Sequence, residues 1–363
     1  MTIKKILIVP SKRLQINYVE LIKNRVYRQE LPHHAEIQYA GDLPSVLGPD
    51  NVFVIGQYYP SVFAANFPLS CPYPSCHGAT RPTFIKRKQI DKTLRQVDAV
   101  IISAIGEPDL IAQVIKRARR FNLPVAILDI PDYDTLYGDP DIYEHLTLDF
   151  KVRRDYDIYF KKDLPKGFGT DLILPFGPIP VRPSSYHFIE KQKTKSVFYN
   201  GRKREDQSSP ERAQIVEAVQ EKIPDTNIMT HDDRSTFITN RQYWDFLSQA
   251  RVALSPSGRC WDSFRHCEVG LAPNVAIMLP KPFIETCGPP IRDGHNAIVY
   301  DVVLRDRRYY LADANVTLQK LKNYLQKPEE LERLAKNWRQ DVLSGHTVEA
   351  RSRYLINMMR EKL

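Results

Sequence analysis

Short, uninterrupted apolar runs recur through the first half of the chain: KILIVP (5–10), NVFVIG (51–56), AVIISAIG (99–106), VAILDI (125–130), DIYF (157–160) and LILPFG (172–177). They do not alternate apolar with polar, and they are rich in Val and Ile. That is the pattern of strands buried on both faces, as in a parallel sheet. Between two of them, PDLIAQVIKRARRFNLP (108–124) sets Leu110, Ile111, Val114 and Ile115 on one face and a basic run on the other, which predicts an amphipathic helix. Its Asn-Leu-Pro exit leads straight into the next run. Strand, helix and strand in this order predict a Rossmann-type α/β domain over residues 1–178.

The segment PIPVRPSSYHFIEKQKTK (178–195) breaks the rhythm with prolines, serines and a charge run, so a linker is expected over 179–195. A second series of runs follows: SVFYNG (196–201), TNIMTH (226–231), VALSPSG (252–258), NVAIMLP (274–280) and NAIVYD (296–301). Helical patterns at 210–223 and 241–250 lie between them, and the last 50 residues read as three helices. A second α/β domain is therefore expected over 196–345. Ligands of such sheets sit beyond the carboxyl ends of the strands, so the loops that directly follow strands are where functional residues belong.

Composition agrees with this plan. The chain has 363 residues, enough for two cores. It is 42% hydrophobic and 26% charged, and no 18-residue uncharged apolar run is present, so no membrane-spanning helix is expected. The N-terminal MTIKKILIVP reads as a first strand and not as a signal peptide. Five cysteines, an odd number, favour a reduced cytoplasmic setting. The net charge of +9 is concentrated in the first half, where residues 81–120 hold ten Lys or Arg against four Asp or Glu. Such a face suits an anionic partner, whether phosphorylated small molecule, nucleic acid or the periphery of an anionic membrane, or else is a solvated surface with a sign bias.

The most informative stretch is SPSGRCWDSFRHCEVG (255–270), which follows an apolar strand. Ser255, Ser257 and Gly258 are small enough for a ligand to approach the backbone. Asp262 is expected to cap a helix that starts beside it, with Ser263 at the same end. A helix N-terminus offers unpaired N–H donors and a positive dipole end, to which phosphate is a natural guest. Asp262, Arg265 and Glu268 are spaced three apart and so share one side of that helix. An Arg so placed can fork onto a diphosphate, and a Glu one turn later can accept hydrogen bonds from ribose hydroxyls. The competing reading from spacing alone is an ordinary i,i+3 ion pair on a solvated face.

The residues from Tyr243 to Asp301, with S-P-x-G followed by S-F-R-x-x-E, resemble the C-terminal nucleotide-sugar-binding domain of GT-B glycosyltransferases, especially the exostosin-like and CgeB-like families. The resemblance implies two Rossmann-like domains facing each other across a cleft. It implies sugar transfer from a nucleotide-diphosphate donor, with Arg265 on the diphosphate and Glu268 on the ribose. It also implies that the last helix, residues 346–363, packs back on the N-terminal domain. Donor binding in this fold is commonly metal-free, so neither metal nor cofactor is expected beyond the nucleotide-sugar co-substrate. The chain departs from the family in two places. LAPNVAIML replaces a Gly-Cys-x-Pro turn, and Ala276 stands eight residues after Glu268 where many retaining enzymes carry a second Glu.

Further candidates follow from position. Arg202 and Lys203, after the first strand of the second domain, could lie over the donor diphosphate. An inverting transfer needs a base within reach of the acceptor hydroxyl. Asp132, in the LDIPDYD loop, is the first choice and Glu107 the second. Cys71, Cys76 and His77 form a C-x4-C-H group that matches no standard zinc spacing and lacks a second pair. Neither G-x-x-x-x-G-K-[ST] nor G-x-G-x-x-G occurs, which argues against P-loop and dinucleotide enzymes. The acceptor is unidentified: a glycan, a lipid-linked sugar or, last, DNA. The alternatives are a DNA-modifying glucosyltransferase or nucleotide-sugar epimerase on the same fold, or a sugar-nucleotide-binding module without turnover.

Overall fold

A computed structural model describes residues 2–9, 43–55, 82–104, 108–129, 155–201, 210–230, 238–258, 260–305 and 308–363. The first sheet has seven strands: β1 (Ile6–Val9), β2 (Val52–Ile55), β3 (Thr83–Ile85), β4 (Ala99–Ser103), β5 (Val125–Asp129), β6 (Ile158–Lys161) and β7 (Ile173–Pro175). Their order is β3-β2-β1-β4-β5-β6-β7, and every pair is parallel.

Successive side chains of these strands go to opposite faces, and both faces are covered. On one, Leu7, Val9, Val100, Ile102 and Ile127 pack against helix α1 (Ile90–Leu94) and helix α2 (Pro108–Arg120). On the other, Ile6, Ile8, Ala99, Ile101 and Phe160 pack against Leu355, Ile356 and Met359 of the final helix (Val348–Lys362). This double covering is why the strands read as unbroken apolar runs. Helix α2 buries Leu110, Ile111, Val114, Ile115 and Ala118. It ends where Asn122 adopts φ 53° and Leu123 N–H returns to the Ala118 carbonyl at 3.0 Å, a left-handed C-terminal cap.

The second sheet contains β8 (Lys195–Gly201), β9 (Asn227–Thr230), β10 (Ala250–Leu254), β11 (Ala276–Pro280) and β12 (Ile298–Tyr300), in the order β12-β11-β10-β8-β9 and all parallel. Around it lie helices α3 (Pro210–Lys222), α4 (Asn240–Ser248), α5 (Phe264–Glu268), α6 (Ala314–Leu325) and α7 (Pro328–Gly345); the final helix is α8. A capping box starts α4: Thr239 Oγ1 accepts from Gln242 N–H at 3.2 Å, and Gln242 Oε1 accepts from Thr239 N–H at 2.9 Å. An antiparallel hairpin, β13 (Val302–Arg305) and β14 (Arg308–Leu311), follows β12.

The segment between the sheets is pinned along its length. Val181 N–H donates to the His346 carbonyl at 2.9 Å, and Val348 N–H donates back to the Val181 carbonyl at 2.9 Å. Lys193 Nζ bridges the carbonyls of Ser248 (2.8 Å) and Pro273 (2.9 Å). Helix α8 is tied to the first sheet by Tyr354 Oη on the Pro175 carbonyl at 3.1 Å and Arg360 Nη2 on the Ile3 carbonyl at 2.8 Å. Among the described residues no helix is long and apolar enough to cross a membrane.

Candidate functional site

The order of the second sheet reverses between β8 and β10, and the crevice beyond such a switch point is where ligands of open α/β sheets bind. The loops leaving β8 at Asn200–Gly201 and β10 at Ser255–Gly258 flank that point. Arg265 reaches across it. Its Nη2 donates to the Asn200 carbonyl, and its guanidinium lies over the Tyr199 ring, 5.2 Å from the centroid. A Cβ on Gly201 would stand 2.7 Å from Tyr199 Oη and 3.2 Å from Arg265 Nη2, so a side chain here would displace the ends of both. Burial works against the Arg265 charge, but Tyr243, Tyr199 and Glu268 together hold its pKa above the ordinary arginine value.

Glu268 is fixed from two other directions. Its Oε1 accepts from Tyr186 Oη at 2.9 Å, and its Oε2 accepts from Tyr243 Oη at 3.2 Å. Tyr186 belongs to the segment between the sheets and Tyr243 to α4. Burial pushes the Glu268 carboxyl up, while Arg265 and the two phenols push it down. Burial and the Glu268 charge raise both phenols, so they serve as donors throughout the physiological range. Arg265 and Glu268 are half-buried, each bonded to its own partners on neighbouring elements. They are not the solvated ion pair that their spacing also allows.

The loop before α5 is built differently from the sequence expectation. Helix α5 has only five residues, Phe264–Glu268, and its N-cap is Ser263, which makes no side-chain cap bond. Asp262 is not the cap. It is 3% exposed, and its Oδ2 accepts from Ile179 N–H at 2.9 Å, because that buried backbone donor has no sheet or helix partner. Ser255 Oγ lies 2.8 Å from His266 Nδ1, and His266 Nε2 lies 2.8 Å from the Trp261 carbonyl. Burial drives the His266 pKa down to about 3, so the ring is neutral. Nε2–H then donates to Trp261 and Nδ1 accepts the Ser255 hydroxyl. The Ser257 carbonyl receives Arg212 Nε at 2.7 Å and also Arg212 Nη2. A Cβ on Gly258 would meet the Asp262 carbonyl at 2.5 Å, so the turn requires glycine. These internal bonds preset the loop that leads into Arg265 and Glu268.

Asp132, Glu107, Arg202 and Lys203 lie outside the described residues, as do Cys71, Cys76 and His77. Asp129, at the end of β5, is fully buried; it accepts from Tyr159 Oη at 2.7 Å and pairs with Lys161 Nζ at 3.4 Å. Several site residues escaped the sequence reading. Tyr186 sits in a proline- and serine-rich stretch, where its one signal is the aromatic cluster Tyr186-His187-Phe188. His266, Arg212 and Tyr300 carried no spacing signal, since their partners lie 11, 45 and 89 residues away.

No family model matches the chain, and no curated protein sequence matches it. Solved structures match along almost its whole length. A glycosyltransferase from Rickettsia africae ESF-5 aligns with TM-score 0.55 at 10% identity, over 100% of this chain and 99% of the other. Anabaena HepE in complex with UDP-glucose aligns with TM-score 0.54 at 10% identity, over 99% and 100%. An alpha-glucosyltransferase in complex with UDP-glucose and DNA containing an abasic site aligns with TM-score 0.52 at 9% identity, over 98% and 99%. At such identities the likeness is one of fold: the chain has the two Rossmann-like domains of the GT-B architecture.

Proposed function

We propose that this protein is a GT-B glycosyltransferase of exostosin-like or CgeB-like type that moves a sugar from a nucleotide-diphosphate donor to an acceptor held by the first domain. One observation carries the reading: Arg265 reaches across the switch point of the second sheet, while Glu268, one turn along the same helix, is oriented by phenols from two neighbouring elements. A carboxylate has about four lone-pair sites. With two taken by phenols, Glu268 keeps acceptor capacity for two vicinal ribose hydroxyls. Arg265 supplies the positive charge that a leaving nucleoside diphosphate needs, so no metal ion is invoked. In the transfer, an acceptor hydroxyl oxygen bonds to the anomeric carbon while the bond from that carbon to the phosphate oxygen breaks. The hydroxyl proton passes to a base, for which Asp132 or Glu107 is our candidate.

The neighbours that hold UDP-glucose make UDP-sugars the first donors to try. The acceptor is taken to be a glycan or a lipid-linked sugar met in the cytoplasm, in part at an anionic membrane surface. DNA is a second reading. It is favoured by the neighbour solved with DNA and by exposed Lys86, Lys88, Lys92, Arg95, Lys116 and Arg120 on the first domain. Steep salt dependence of duplex binding would support it.

The test is release of nucleoside diphosphate from UDP-, GDP-, dTDP- and ADP-glucose, with and without EDTA, in a mixture of glycan and DNA acceptors. The expected result is turnover of one donor at a rate that EDTA leaves unchanged. No release from any donor would favour the binding-module reading.

A further inference from the structure

Glu211 is the second residue of α3, and its carboxyl is fully buried. Helix α3 follows β8, so its N-terminus lies at the carboxyl edge of the sheet, beside the crevice described above. Tyr300, at the end of β12, donates its phenol to Glu211 Oε1. Oε2 is buried with no hydrogen-bond partner in the structure. The buried Ser257 hydroxyl and the Ser257 N–H lie against the same carboxyl. Arg212 is next in sequence, yet it directs Nε and Nη2 at the Ser257 carbonyl. Among the described residues no ion pair reaches Glu211. A buried carboxylate without a paired cation is costly, and such a group takes up a proton instead.

We infer that Glu211, packed beneath the Ser257 loop, is a residue of the donor site that works in its protonated form, and that binding of the donor diphosphate is coupled to uptake of this proton. The inference rests on the donor-site reading above. Protonated, the carboxyl carries no charge toward the Ser257 loop, which Arg212 secures through the Ser257 carbonyl. Ionisation sets a negative charge beside a doubly negative ligand. The diphosphate therefore holds the proton on, and the proton favours the diphosphate.

The titratable and charged groups facing Glu211 are Tyr300 from β12 and Arg212 from its own helix; Tyr199 of β8 lies beyond Tyr300, under Arg265. Burial lifts the carboxyl to about 7, with Tyr300, Arg212 and Ser257 pulling the other way. The proton is thus present below pH 7 and lost above it, so donor affinity falls as pH rises.

The experiment is calorimetric titration of the tightest binder among UDP-, GDP-, dTDP- and ADP-glucose, whose diphosphates do not ionise between pH 6 and 8.5. Each titration is run in two buffers of different ionisation enthalpy. For wild type we expect net proton uptake at pH 7.5 and a dissociation constant about tenfold weaker at pH 8.5 than at pH 6, the effect of one pKa unit of coupling. Glu211→Gln, which cannot titrate, is expected to show neither. Tyr300→Phe removes a bond that lowers the carboxyl pKa, so its profile is expected to move to higher pH; this variant decides the matter if the Gln variant does not fold. Superimposable pH profiles and equal proton uptake in wild type and Glu211→Gln would overturn the inference alone. If no sugar nucleotide binds wild type at any pH, the donor-site reading falls and takes this inference with it.

Discussion

Trp338→Ala is expected to lower the free energy of unfolding by about 3–5 kcal/mol, the upper range for truncating a buried aromatic side chain. Trp338 is 0% exposed, and its Nε1 donates to the His266 carbonyl at 2.9 Å. A Cβ on Gly270 would stand 2.6 Å from Val342 Cγ2 and 3.2 Å from Trp338 Cδ1, so α7 already lies as close as the backbone allows. The surroundings cannot settle further into the space left by the indole. The His266 carbonyl also loses its donor inside the core, which adds a desolvation cost. Trp338→Phe restores most of the volume without the N–H and is expected to lose about 1–2 kcal/mol. Urea unfolding with an unchanged m value separates the two losses. His266 lies between Arg265 and Cys267, so the alanine variant is also expected to bind nucleotide less well.

Arg351→Met is the second large effect. Arg351 is 1% exposed. It donates from Nη1 to the Gly177 carbonyl at 3.3 Å and from Nη2 to the Pro178 carbonyl at 3.1 Å, and its guanidinium lies 5.6 Å from the centre of the Phe176 ring. Its Nη2 is also 3.3 Å from His346 Nδ1, while His346 Nε2 is 3.0 Å from the Pro289 carbonyl. Burial lowers the His346 pKa to about 4, so the ring is neutral, with Nδ1 accepting from Arg351 and Nε2–H donating to Pro289. This one side chain therefore joins α8, the exit from the first sheet and the end of α7. Methionine fills much of the same volume but donates nothing. Gly177 keeps a donor in Cys287 N–H at 2.9 Å, whereas Pro178 and His346 lose theirs. Two buried acceptors left without donors cost about 2–6 kcal/mol together. Thermal unfolding of Arg351→Met should show this loss, and a variant as stable as wild type would mean that water replaces the arginine at no cost.

Much of the fold was legible in the sequence because a doubly covered parallel sheet leaves a direct mark. Runs such as AVIIS and VAILD are buried at every position, so their apolar stretches nearly coincide with β4 and β5. What was not legible has physical reasons too. β3 is three residues, TFI, with only Ile85 buried, too short to show a period. The hairpin β13–β14 carries Arg305 and Arg308 at its turn end and only Leu311 buried, so it reads as a charged loop.

The site divides in the same way. Arg265 and Glu268 stood out because three-residue spacing is a local signal. Their orientation by Asn200, Tyr199, Tyr186 and Tyr243 depends on contacts 25 to 82 residues away in sequence, which spacing cannot reveal. Asp262 was misplaced for the same reason: its partner, Ile179, is 83 residues away, and a distant buried N–H outcompeted the nearby helix end.

The central claim, that the switch point of the second sheet is a donor site, is tested most directly by thermal shift of wild type and Arg265→Ala with UDP, GDP, dTDP, ADP and CMP. A ligand at about 100 times its dissociation constant adds about 2.7 kcal/mol, enough to move the melting temperature by several degrees. One nucleoside diphosphate is expected to stabilise wild type and to leave Arg265→Ala unmoved at the same concentration. An equal shift in both proteins, or no shift with any nucleotide, would contradict the account.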